Sequence, residues 1–260
     1  MLRKLSVFTL FILLAFSVHG AEVIELSTFR ESADRVVQEC YELAIAATKK
    51  GKALCDEQGF GDYWVCPPSK EIRLQALKQC KAGAQKAKDH AAMLYLLGLL
   101  HQDFHYQPDN GECPEFYRFQ EGSAVCVYTD DHFEQLIREF PKSKYSDMAA
   151  FKQADAAYRY YECEGQVLCS VENAICGWVD FLKKRPTSDL ADTATHRIIE
   201  SLNSLSGAPL DPRQESPSGL LGDVRNLRVI AAKLSSENRT NLTRSLDAAE
   251  AALTKLQKEK

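Results

Sequence analysis

Pro141-Lys142-Ser143-Lys144-Tyr145-Ser146-Asp147-Met148-Ala149 returns 45 residues later as Pro186-Thr187-Ser188-Asp189-Leu190-Ala191-Asp192-Thr193-Ala194, with Pro, Ser, Asp and Ala in register. A period of that size predicts stacked helical units. In each copy an aromatic-rich helix ends just before a proline, a short serine-bearing turn follows, and an acidic residue opens the next alanine-rich helix. One such unit cannot bury its apolar face alone. It stacks on its neighbours and leaves a groove for a partner.

Apolar spacings extend this pattern outward. Phe133, Leu136, Ile137 and Phe140 form one stripe. After Pro141 come Phe151, Ala154, Tyr158 and Tyr161, and their antiparallel partner carries Val171, Ala174, Ile175, Trp178 and Phe181 before Pro186. Thr129 is the expected N-cap of the first of these helices. The expected repeat core is therefore Phe151, Ala154, Tyr158, Ala174 and Trp178, bounded by Pro141 and Pro186.

These residues resemble the large-small-aromatic signature of tetratricopeptide repeats. The run Phe133 to Tyr145 resembles the repeats of bacterial periplasmic proteins of the outer-membrane-assembly and Tol-Pal-associated type. The resemblance covers residues 130 to 205, and its 45-residue unit exceeds that family's 34. It implies a noncatalytic scaffold or adaptor of the cell envelope that holds a protein or peptide in the repeat groove.

Toward the N-terminus, residues 27 to 58 predict one helix, and Ser69 is the expected N-cap of a second that runs to Phe104. The cysteines predict that these two form an antiparallel hairpin, because facing residues on such helices have a nearly constant sum of numbers. Cys40 with Cys80 gives 120 and Cys55 with Cys66 gives 121. Along a helix, Cys40 and Cys55 stand about 22 Å apart and Cys66 and Cys80 about 21 Å, so two bridges fit one seam. The layout resembles that of twin-cysteine coiled-coil-helix proteins, with much longer spacings. Residues 107 to 128 read as a turn-rich loop closed by Cys113 and Cys126.

Nine cysteines form an odd set. Cys163 and Cys169 flank Gly165 at a turn and are expected to pair, which leaves Cys176 as the free thiol packed between Ile175 and Trp178. Two alternatives stand beside this: Cys176 pairs with Cys163, or it bridges two chains. Residues 1 to 20 read as a secretion signal, with Arg3 and Lys4 ahead of an apolar core from Val7 to Phe16. Together with the cysteines they point to an oxidising compartment, the periplasm or the extracellular space. Loss of that segment would take the formal net charge from -4 to -6. Such a charge disfavours nucleic acid. No further membrane span is expected.

Residues 207 to 219 read as a linker. Beyond it, Leu220 to Leu234 and Leu242 to Leu256 predict a terminal helical hairpin, with a dimerising coiled coil as the lesser alternative. The predicted fold class is all-α, with antiparallel helical hairpins stacked as a tetratricopeptide-like repeat and stapled by disulfides. The predicted organisation is a signal over 1–20, a hairpin over 21–106, a loop over 107–128, repeats over 129–206, a linker over 207–219 and a C-terminal hairpin over 220–260.

Signals for catalysis are weak. His101 and His105 stand four apart, which is metal-ligand spacing, but lack a third ligand at a definite distance. Nucleophile elbows, phosphate loops and dinucleotide fingerprints are all missing from the sequence. No catalytic residue, cofactor or metal is therefore expected; an enzyme using Cys176, or His101 with His105, is the rival. Asn238-Arg239-Thr240 and Asn241-Leu242-Thr243 match glycosylation acceptors but are expected to act as helix caps. A secreted, disulfide-rich helical glycoprotein is the remaining alternative.

Overall fold

The structure is a computed structural model that describes residues 28–59, 66–102, 112–120, 125–157, 163, 166–205, 210 and 217–258. The expected signal, Tyr158, Tyr161, His105 and most of the linker lie outside these residues. The chain divides into two compact units, Met1–Phe140 and Pro141–Lys260. Among the described residues it carries nine helices and one two-stranded sheet, so helices dominate but the fold is not purely α.

In the first unit, α1 (Arg35–Glu57) opens where the Asp34 carboxylate accepts the Val36 N–H. It buries Val37, Cys40, Tyr41, Ala44, Ala47, Gly51 and Cys55, a stripe of three- and four-residue steps that faces α2 (Pro67–Ala84). Cys40 pairs with Cys80 and Cys55 with Cys66, at Cα separations of 5.1 and 5.5 Å. The N-cap of α2 is Cys66, with proline in the first turn, and Ser69 instead sits buried against Gly51. A Cβ on Gly51 would collide with the Ser69 hydroxyl, so that glycine sets how closely the helices cross.

The expected single second helix is broken. It ends at Ala84, turns, and resumes as α3 (His90–Gln102). Two capping contacts fix the break: Asp89 accepts the Ala92 N–H at 2.9 Å, and Asp34, from the start of α1, accepts the Lys88 and Asp89 N–H groups. α3 is buried almost all round, as a central helix must be, and packs against α1, α2, α4 (Asp131–Glu139) and β2. Phe29, Tyr95 and Phe133 form its aromatic core, with ring centroids about 6 Å apart.

Within the expected loop, β1 (Tyr117–Gln120) pairs antiparallel with β2 (Val125–Tyr128). Cys113–Cys126 ties the approach to β1 onto β2. The N-cap of α4 is Asp130, with φ 62°, rather than Thr129. Thr129 instead donates its hydroxyl to the Phe116 carbonyl and lies against Asp131. α4 packs on α3 and belongs to this unit, whereas the sequence pattern groups it with the repeats.

The second unit holds α5 (Lys144–Ala157), α6 (Val167–Lys184), α7 (Ala191–Asn203), α8 (Ser218–Ala231) and α9 (Ser236–Lys258). Their core is continuous, from Ala154 and Leu168 on the first two helices to Leu253 and Leu256 on the last. α6 packs against α5, α7 and α8, while α9 packs against α7 and α8. The C-terminal stripe Leu242, Leu246, Ala249, Leu253 and Leu256 is thus buried within one chain.

Candidate functional site

The repeated motif is repeated in three dimensions. In the first copy the Ser143 side-chain oxygen accepts the Tyr145 N–H at 3.3 Å, and the Ser143 carbonyl accepts the Ser146 N–H at 2.9 Å. In the second, Ser188 makes the same pair of bonds to Leu190 and Ala191, at 3.3 and 2.9 Å. Ala149 and Ala194, at matching positions, are both fully buried. The two aspartates are held from different places: Arg185, at the C-terminal end of α6, reaches Asp147 and donates to the Ser146 hydroxyl, while the Asn238 amide, inside α9, donates to Asp192. Pro141 and Pro186 lie in the turns ahead of α5 and α7.

At the crossing of α5 and α6, Phe151 is half-buried and packs on Trp178 and Phe181, with centroids at 4.7 and 5.7 Å. Trp178 and Ala154 are buried. The small residue that admits the other backbone is Gly177, not Ala174: a Cβ there would stand 2.5 Å from the Ala154 carbonyl oxygen. Ala174 is only half-buried. The two positions differ by three helical steps, and only the rotational setting of α6 decides between them.

Asn238 and Asn241 lie inside α9 rather than at its cap, since Ser235 accepts the Asn238 N–H ahead of the helix. Asn241 is exposed.

The outer face of α6 carries Glu172, Cys176 and Asp180, four residues apart, with Asp223 beside them on α8. Cys176 is the free cysteine and is exposed, not packed between Ile175 and Trp178. Partial burial of the sulfur, then the carboxylates of Asp223, Asp180 and Glu172, push its pKa up, the opposite of what a thiolate nucleophile needs. Glu172 and Asp223 are raised as well, by burial first and by a neighbouring carboxylate second. Cys163 and Cys169 pair at the start of α6.

In the first unit, folding brings His132 onto His101, a contact between residues 31 apart that no local pattern announces. The rings stack at 4.9 Å and 16°. Each imidazole is held at Nδ1 by a tyrosine. Tyr117 donates its hydroxyl hydrogen to the His101 carbonyl and so accepts from His101 Nδ1 at 2.9 Å. Tyr128 accepts the His132 backbone N–H at 2.8 Å, and its hydroxyl is hydrogen-bonded to His132 Nδ1 at 2.9 Å. Phe116 closes the cluster, with Lys81 over its ring and Glu115 on Lys81. Burial, then the other histidine and Lys81, lowers the His101 pKa to about 3. Burial chiefly, with Lys81 adding to it against the pull of Asp131 and Glu115, lowers that of His132 to about 4. Both rings are neutral at pH 7. Their lone pairs lie in nearly parallel planes and cannot converge on one ion; among the described residues no three His, Cys, Asp or Glu side chains gather as a metal set.

No described helix is long and apolar enough to cross a membrane, and four cysteine pairs at disulfide distance fit an oxidising environment. Comparisons with protein-family models, curated proteins and solved structures found no match.

Proposed function

We propose that the chain is a noncatalytic protein-binding scaffold of tetratricopeptide-like construction that works outside the cytoplasm, in the periplasm or after secretion, as an adaptor of the cell envelope. The observation that carries this reading is the recurrence of one turn, with the same serine hydrogen bonds and the same buried alanine. Recurrent turns hold helices in parallel layers, and layered helices present long rows of side chains to a partner. The row this assigns to the partner is the solvent face of α7, with Thr193, His196 and Arg197 exposed in succession. Only Phe119 and Val229 are large exposed apolar side chains among the described residues, so recognition is chiefly polar. The thiol-enzyme alternative is disfavoured by the raised pKa of Cys176. The glycoprotein alternative retains one supporting observation, the exposed Asn241 on α9.

A photocrosslinking residue tests the reading. Placed at Thr193, His196 or Arg197 in the native source, it captures one discrete protein, while the same residue at Asp180 on the outer face of α6 captures none. Equal capture from both faces, or from neither, refutes it.

A further inference from the structure

The four disulfides do not share one environment. Cys40 and Cys80 are both buried, as are Cys55 and Cys66, and Cys126 is fully buried beside its partner Cys113. Cys163–Cys169 is the exception, because both of its cysteines are half-exposed. It also closes the shortest loop of the four, with a sequence separation of 6.

Its sulfurs have two further sources of stabilisation for negative charge. The Asn173 amide, one turn along α6, donates to Cys163 Sγ at 2.8 Å and to Cys169 Sγ at 3.5 Å. Cys169 is the third residue of α6, whose N-cap Gln166 makes no side-chain capping bond and whose first turn holds no acidic residue. Among the described residues the first turn of that helix carries no carboxylate, so a thiolate at Cys169 would meet its positive end. A donor alone is not enough: Cys55 Sγ accepts the Cys66 N–H at 3.3 Å, but there both cysteines are buried. Among the described residues, access and charge stabilisation coincide at the start of α6.

We infer that Cys163–Cys169 is a thiol–disulfide exchange site, whose substrate is an external thiolate. The thiolate attacks Cys163 Sγ, a new S–S bond forms there, the Cys163–Cys169 bond breaks, and its electron pair leaves on Cys169 Sγ. That sulfur rests as a thiolate at the start of α6 or takes a proton from water. A second thiolate then attacks the mixed disulfide, releasing Cys163 reduced and the two external sulfurs oxidised to a disulfide, so two electrons pass to the chain. Cys176 takes no part.

The test uses the full chain with Cys176 first blocked by N-ethylmaleimide. Limiting reduced glutathione is added, the reaction is quenched in acid, and alkylated peptides are mapped. Cys163 and Cys169 are expected to open at least about tenfold faster than the other three pairs, with glutathione found on Cys163 at early times. Asn173→Ala should slow this opening about tenfold, the lower end for a hydrogen bond to a charged group, and Asn173→Asp should slow it further through like-charge repulsion. Asn173 is half-buried on the helix surface, so the fold should tolerate both substitutions. Opening at the same rate as Cys113–Cys126, early glutathione on Cys169, or an Asn173→Ala rate equal to that of the parent chain would each overturn the proposal.

Discussion

Two glycines in the second unit should respond to the same substitution with opposite signs. Gly177 lies in α6 at its crossing with α5, and Gly222 lies in α8. In a helix with room to spare, Gly→Ala stabilises by about 1 kcal/mol, through propensity and the lost entropy of the unfolded chain. Gly222 has that room, since a Cβ there meets nothing within 4 Å. At Gly177 the new carbon would stand 2.5 Å from the Ala154 carbonyl oxygen, 3.0 Å from its Cα and 3.1 Å from its carbonyl carbon. All three are backbone atoms. No rotamer change relieves the overlap, so the helices must separate by several tenths of an ångström, and Phe151, Trp178 and Phe181 lose contact along the seam. Overpacking of this kind costs about 1–3 kcal/mol. Set against the propensity gain, Gly177→Ala should lose up to about 2 kcal/mol while Gly222→Ala gains up to about 1 kcal/mol. Urea denaturation with a common m-value reads both. If Gly177→Ala raises the midpoint as Gly222→Ala does, α5 and α6 are not in backbone contact there and the crossing is wrongly described.

Trp178→Ala should cost about 3–5 kcal/mol, as large aromatic truncations in a core do; an unchanged thermal midpoint would make Trp178 a surface residue. Acid should destabilise the first unit. His101 and His132 have lowered pKa values in the folded state, so the stability they confer is present above pH 6.5 and is lost as pH falls toward about 4 and 3. The two together contribute a slope of up to about 2.7 kcal/mol per pH unit. Asp130 opposes them, because its pKa is raised to about 6, by burial first and Glu134 second, so its contribution is present below pH 3.8 and lost as pH rises through about 6. His101→Phe should therefore flatten the decline of urea stability between pH 6.5 and 4.5; an unchanged slope would mean that His101 is already charged when folded. Cys176 should react slowly with iodoacetamide at pH 7 and faster above its raised pKa, and Asp223→Asn should speed the reaction; rapid labelling at pH 7 would contradict its carboxylate surroundings.

The cysteine numbering carried the first hairpin plainly, because a constant sum is a property of antiparallel helices and survives the break at Ala84. The turn at residues 141–149 and 186–194 was legible for a similar reason: its serine bonds are local, so identical residues give identical geometry. Contacts made at long range stayed hidden. The break between α2 and α3 is held partly by Asp34, 54 residues away, although Asp89 ahead of Ala92 was a readable cap. The alternation in Tyr117-Arg118-Phe119-Gln120 and the β-branched and aromatic run Val125-Cys126-Val127-Tyr128 are strand signals, masked by the surrounding turn residues. Nothing local told of His132 meeting His101, or of Gly177 rather than Ala174 at the crossing.

Asp34 joins two places in the chain through one carboxylate. Its oxygens serve the Val36 N–H at the start of α1 and the Lys88 and Asp89 N–H groups at the α2–α3 turn. The start of α1 cannot unwind and carry Asp34 away without freeing the Lys88 and Asp89 amide groups, whereas the turn can open with the Val36 bond intact. Amide hydrogens at residues 88 and 89 should then exchange at least as readily as that of residue 36, and a protease able to cut at the turn would find it no more closed than the beginning of the first helix.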